Sequence, residues 1–432
     1  MSLAVFSACS ATVSDMEMDA GSGGGVATGG GSATGGGSAT GGGGGATGGG
    51  GGAIGGGGAT GGGSATGGGG ATGGGTTGGG GGMVVLGPPG TWTNVTPNIG
   101  GLTLGMFGIQ TMLADPARPG DFYFSSSATP GFFKSTDYGV TWTKISSHSL
   151  TYGCAGDPNP NRDPSTPFLM WCCGGYGNGV ARTLDNGVTW TNVQTNNAVA
   201  GTFSNDPYAM DVDPYDNQHV LAGFHGNPGL SESFNGGATW TTVTSVGADQ
   251  GTSNYPFFID TGNATTTRGN WLIMSQWGDQ IGGMHRTTNG GMTWTRTNSL
   301  QHGHGNAQIF QSGGGVIYAA GLSGSEGHGV YRSTDFGMNW SRVNDGTAQN
   351  GVFGTGNYVY TDNGWASAGG QNQVLQRSPR NQGTTGTWEN YVMTPPMGNG
   401  SGHAAVVRNP TTGKWVIVMG AWTAGIWRYE EP

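Results

Sequence analysis

Thr183-Leu-Asp-Asn-Gly-Val-Thr-Trp190 is written five times along this chain with small changes. The other copies are Ser135-Thr-Asp-Tyr-Gly-Val-Thr-Trp142, Ser233-Phe-Asn-Gly-Gly-Ala-Thr-Trp240, Thr287-Thr-Asn-Gly-Gly-Met-Thr-Trp294 and Ser333-Thr-Asp-Phe-Gly-Met-Asn-Trp340. Their tryptophans fall 48, 50, 54 and 46 residues apart, a period that fits one four-stranded sheet per repeat rather than one helix pair. Asp137, Asp185, Asn235, Asn289 and Asp335 hold the third position. In a tight turn such a residue accepts hydrogen bonds from backbone amides just ahead of it, and the Gly two places on supplies positive φ. The closing Thr-Trp pair then starts a strand, its indole large enough to fill a gap between sheets. These boxes read as structural staples, separate from any active site.

Worn copies extend the series. Gly386-Thr-Trp388 lies 48 residues after Trp340, and Gly90-Thr-Trp92 lies 50 before Trp142. Between successive tryptophans sit apolar runs that read as innermost strands: 106–114, 151–156, 208–212, 255–259, 306–310, 352–360 and 404–407. After the last of these only 415–419 and 425–429 remain, so the final sheet is one strand short. Thr91-Trp-Thr-Asn-Val-Thr96 has the look of the strand that follows Trp elsewhere, and is expected to complete that sheet and remove an open seam. The expectation is an all-β chain: a seven-bladed β-propeller of four-stranded antiparallel blades, preceded by a Gly-rich low-complexity tract.

The five boxes resemble the Asp-box, or BNR, repeat of sialidase-like β-propellers, over residues 83–432. Sialidases, xyloglucan-degrading endoglucanases and sortilin-type receptors carry such boxes, so the resemblance implies a fold and leaves activity open. A sialidase needs three arginines on the substrate carboxylate, a Tyr–Glu pair and usually Arg-Ile-Pro. That tripeptide is absent, and Arg182, Arg286 and Arg332 precede boxes, where they read as structural. The xyloglucanase-like enzymes place a catalytic Asp in the first blade; the matching stretch here, Tyr123 to Gly131, has no carboxylate.

Composition divides the chain into residues 1–19, 20–82 and 83–432. Residues 20–82 are almost only Gly, Ala, Thr and Ser, with too little apolar surface to offset ordering entropy. As a coil these residues span about 45 Å; as a threefold glycine helix, roughly 195 Å. The tract reads as a tether, with self-association through packed polyglycine as the other reading. Met1 to Cys9 look like the end of a bacterial lipoprotein signal, which makes Cys9 a lipidation candidate and points to an extracellular or outer-membrane-surface location. Only 9% of residues are charged, the net charge is −9 and no basic stripe exists, which argues against nucleic acid. No apolar run is long enough to span a membrane. Cys154, Cys172 and Cys173 fall on two neighbouring strands. Alternation lets only one of the adjacent pair face Cys154, so a 154–172 or a 154–173 disulfide is expected.

Loops entering the inner strands and loops joining second to third strands share one face of such a ring. The second group carries Tyr176, Phe224, His225, Trp277, Asp279, Gln280, Glu326, His328, Trp365 and Trp422; the first carries Asp206, Asp249, His302, His304, Asp345 and His403. Aromatic rings beside carboxylates and amides suit sugars, which stack on rings and hydrogen-bond through hydroxyls. Asp279 and Glu326 occupy equivalent loops of adjacent blades and are the candidate acid–base pair of a glycoside hydrolase. His302-Gly-His304 near His403 reads as polar channel lining, and Asp211-x-Asp213-x-x-Asp216 lacks the Gly and distal Glu of an EF-hand loop and reads as a turn. No metal or cofactor is expected. The leading expectation is an exported, tethered propeller that binds glycans or proteins. Glycoside hydrolysis and a self-assembling structural role are the alternatives.

Overall fold

A computed structural model describes residues 86–432, apart from 105–107, 149–151, 175–177, 196–204, 277–281, 303–308, 322–327, 345–350, 363–373, 393–402, 422 and 424. It contains seven antiparallel sheets of four strands. The first six follow chain order from the inner strand outward. Their inner strands are Ile109–Ala114, Cys154–Gly156, Pro207–Asp213, Tyr255–Phe258, Ile309–Gly313 and Gly351–Gly354. Blade 7 runs His403–Arg408, Trp415–Ala421, Gly425–Glu430 and then Thr93–Asn94, taken from the other end of the ring. Thr93 pairs with Arg428 and Asn94 with Trp427. Val95 N–H donates to the Ile426 carbonyl at 2.9 Å, and the Trp92 ring stacks on Tyr429 with centroids 4.8 Å apart.

One apolar run divides. Residues 352–360 read as a single inner strand but form parts of two, Gly351–Gly354 and Tyr358–Asp362. Thr355 makes the turn: its hydroxyl accepts from the N–H groups of Asn357 at 3.1 Å and Tyr358 at 3.0 Å.

The repeated turn is wired alike in every copy. Asp137 Oδ1 accepts from Val140 N at 3.1 Å and Thr141 N at 2.9 Å, while Thr141 Oγ1 donates to Oδ2 at 2.6 Å. Where Asn replaces Asp, Asn235 Oδ1 keeps the Thr239 N–H at 2.8 Å and its Nδ2 donates to Thr239 Oγ1 at 2.8 Å. The first-position hydroxyl matters as much: Ser135 Oγ accepts from Gly139 N at 2.9 Å and donates to Asp137 Oδ1 at 2.7 Å. The fifth-position glycines have φ between 74° and 86°, and they also seat each turn on the blade before it. A Cβ on Gly139 would lie 2.6 Å from Val418 of blade 7, and one on Gly187 2.7 Å from Phe132 of blade 1. Arg182 and Arg286 reinforce the same joint, donating to the turn carbonyls of Gly236 and Phe336 in the next blade.

In blade 2, Cys154 and Cys172 face each other across the inner pair of strands and form a disulfide. Cys173 N–H donates to the Gly153 carbonyl at 3.0 Å, so 154 and 172 are the close, non-hydrogen-bonded kind of cross-strand pair. Cys173 points to the other face and is buried.

Candidate functional site

The loops that enter the inner strands of blades 2 to 5 meet in one buried polar and aromatic cluster. Asp206 precedes the inner strand of blade 3, and His225 follows the second strand of that blade. His225 N–H donates to the Asp206 carbonyl at 2.9 Å, which holds both loops at one face. The side chains repeat the link, with Asp206 Oδ2 3.3 Å from His225 Nδ1. Tyr152, from the loop entering blade 2, brings its hydroxyl to 3.3 Å from the same nitrogen. A carboxylate and a phenol therefore fix an imidazole that is 15% exposed.

Aromatic contact carries the cluster across the ring. The Tyr208 ring stacks on His225 at 5.5 Å and on His302 at 5.6 Å, and lies 5.5 Å from Tyr152. His302, which enters blade 5, is fully buried, with Nε2 2.8 Å from the Ser253 carbonyl of the loop entering blade 4. Ser253 Oγ in turn accepts from Gly226 N at 2.9 Å. Gly223 is required here, because a Cβ would collide with the Asn254 carbonyl.

Two further features mark this cluster. Tyr152 and Ser253 hold left-handed backbone, φ 58° and 50°, a conformation that costs a residue with a side chain of order 1 kcal/mol or more and concentrates at functional sites. In addition, Asp206 Oδ1, Asn254 Oδ1 and Asn227 Nδ2 are buried with no hydrogen-bond partner among the described residues. Along the ring's inner edge, Asp211 lies in a strand rather than a turn, and its carboxylate accepts from Phe258 N of blade 4 at 2.6 Å. Burial pushes its pKa up to about 7, against the downward pull of hydrogen bonds from Phe258 and Val212.

Of the expected site residues, His225 stands at the mouth, Phe224 is wholly buried behind it and His302 is an inter-blade strut. Asp249 sits in a short 3-10 turn, Ala248–Gln250, that leads toward blade 4. His403 opens the inner strand of blade 7. Tyr176, Trp277, Asp279, Gln280, His304, Glu326, Asp345, Trp365 and Trp422 lie outside the described residues, as do Cys9 and the tract 20–82. Tyr152, Tyr208 and Asn254 were not among the site residues read from the sequence, and Asp211 was read there as part of a turn. A signal for the tyrosines existed: Tyr152, Tyr208 and Tyr255 stand at or just before the start of three successive inner strands. Among the described residues no helix is long and apolar enough to cross a membrane, and no group of three or more metal-ligating side chains is assembled.

No family model and no curated protein matches this chain. Solved structures do. A GH74 xyloglucanase from Xanthomonas campestris is similar over 78% of this chain and 53% of its own, with a TM-score of 0.52 and 16% identity. The GH74 enzyme of Niastella koreensis covers the same shares at 0.53 and 19%. The WD40 repeats of RRP9 match 79% of this chain and 98% of theirs, at 0.50 and 7% identity. The chain spans about half the length of the GH74 enzymes. At such identities the likeness is one of propeller fold.

Proposed function

We propose that this is an exported propeller of the Asp-box kind that binds glycans at the mouth where the inner strands of blades 2 to 5 begin. The observation that carries the reading is the Asp206–His225–Tyr152 chain. It presents an imidazole of fixed orientation at the rim, beside the buried Asp206 and Asn254 side-chain oxygens, which have no donor among the described residues. Sugar hydroxyls supply donors and acceptors in the pattern such a rim can meet, and few convergent polar groups on an aromatic base are what small-ligand sites use. The glycine tract tethers the ring to a surface, with Cys9 as the lipid-bearing residue. The Cys154–Cys172 disulfide supports an oxidising compartment.

The test is binding to a glycan array, repeated on the best ligand with His225→Ala and Asp206→Asn. A loss of ten-fold or more in both is expected. Undiminished affinity in both would refute the assignment of this mouth. The fold shared with xyloglucanases favours one second reading, hydrolysis of an extracellular polysaccharide with Asp279 and Glu326 as the acid–base pair. It predicts that Glu326→Gln abolishes turnover while binding persists, and activity unchanged in that variant would end it.

A further inference from the structure

Charge separates the two ends of the ring. Each blade meets the mouth end through two stretches of chain, one entering its inner strand and one joining its second strand to its third. Read between the strand ends, those stretches contain no lysine and no arginine in any of the seven blades. Their basic side chains are histidines only, while they carry Asp206, Asp249, Asp279, Glu326 and Asp345. The opposite end is furnished differently. Arg118, Arg162, Arg268 and Lys414 stand in stretches that join first strands to second, where Arg118 and Arg162 pair with Asp115. Three fourth-strand cations, Lys144, Arg296 and Arg342, do reach toward the mouth end. Each donates to a backbone carbonyl beside the third strand of its own blade, of Pro130, Gly282 and His328 respectively, away from the inner strands.

Asp206 brings this asymmetry to the start of an inner strand. Its carboxylate is fully buried, with Oδ2 3.3 Å from His225 Nδ1 and Oδ1 without a partner among the described residues. Among those residues the His225 imidazole is its one ion-pair partner. Salt screens a buried charge much less than an exposed one. A cleft lined by one sign of charge also concentrates ligands of the other sign. A sugar acid arriving here would meet Asp206 with no guanidinium or ammonium to hold its own carboxylate. A protonated amine brings only N–H donors, and its hydrogen bonds to carboxylate oxygens are charge-assisted. Resting on the reading of the mouth as a glycan site, we propose that its ligands are cationic glycans, chains of amino sugars whose amines are free rather than acetylated.

The experiment is calorimetric titration of the full chain with oligomers of glucosamine, N-acetylglucosamine and galacturonate of one length, in buffer that keeps the free amine protonated. Oligolysine of the same charge is the fourth ligand. The glucosamine oligomer should bind at least ten-fold tighter than its acetylated form, with galacturonate weakest. Asp206→Asn should erase that preference. Should this variant fail to fold, the parent protein decides the matter, because raising NaCl from 50 to 500 mM should cut the preference several-fold. A preference that survives folded Asp206→Asn, or one indifferent to salt, overturns the proposal. Equal affinity for free and acetylated oligomers, both weakened by His225→Ala, overturns it while leaving the glycan reading in place. Binding of no saccharide overturns both. Oligolysine binding as tightly as the glucosamine oligomer would assign the mouth to basic peptides and likewise overturn it.

Discussion

Asn235 and Asn289 hold their turns as Asp137, Asp185 and Asp335 hold theirs, yet only the aspartates titrate. Burial pushes each aspartate pKa up, but hydrogen bonds from the threonine or asparagine four residues on and from the first-position hydroxyl outweigh it, and all three end below the ordinary value. A depressed carboxylate contributes stability above about pH 4 that is lost as pH falls through the folded-state pKa. Replacing all three by Asn should therefore flatten the loss of stability below pH 4, followed by urea midpoints; an unchanged acid limb would contradict this wiring. Asp211 has the opposite sign. Its pKa is raised to about 7, so its contribution is complete below pH 4 and disappears as pH climbs to 7. Asp211→Asn keeps the acceptor for Phe258 N and should be more stable than the parent at pH 8, by about 1–2 kcal/mol once partial solvation discounts the shift. Equal stability at pH 8 would count against a strained carboxylate there. The aspartate of the box was legible in the sequence because its partners are local. The left-handed fourth position, φ 59° at Tyr138 and 58° at Phe336, was not, since nothing about tyrosine or phenylalanine announces positive φ.

At the scale of the element, the second strand of blade 3, Asp216–Phe224, shows what pairing does to a buried histidine. His219 is fully buried, with Nδ1 3.1 Å from Asp213 and Nε2 2.8 Å from Glu232. The Phe234, Phe258 and Trp271 rings surround it, and Arg268 lies over Phe234. Burial alone lowers the imidazole pKa, but the hydrogen bonds to the two carboxylates more than reverse it and the net shift is upward. The stabilisation is whole below about pH 6.5 and fades as pH rises through the raised value. Thermal unfolding at pH 6 and pH 9 should show a smaller difference in His219→Gln than in the parent; an equal difference would mean the pair is neutral throughout. Strand identity was readable in most of the apolar runs between successive tryptophans. It failed over 352–360, where Thr355 turns the chain through its own hydroxyl and the residues on either side stay apolar.

For the whole molecule, the count of blades and the closing of the ring followed from the tryptophan period and one missing strand. The mouth did not, because Tyr152, Asp206, His225 and His302 come from loops of three different blades and meet only once the ring is complete. Closure itself can be tested through Trp92, which is 8% exposed and stacked on Tyr429. Trp92→Ala should cost about 3–5 kcal/mol. Amide hydrogen exchange should accelerate first in Gly425–Glu430, the strand that the clasp covers; acceleration spread evenly over all seven blades would argue that the seam is no weaker than its neighbours.

That clasp also decides how the ring bears load. Tension on the chain ahead of Gly90 arrives at a ladder of two residue pairs, Thr93 with Arg428 and Asn94 with Trp427. Under a steady pull the leading strand would peel away before any other blade is disturbed. The body would then hang from the slack so released, a circle opened at one link.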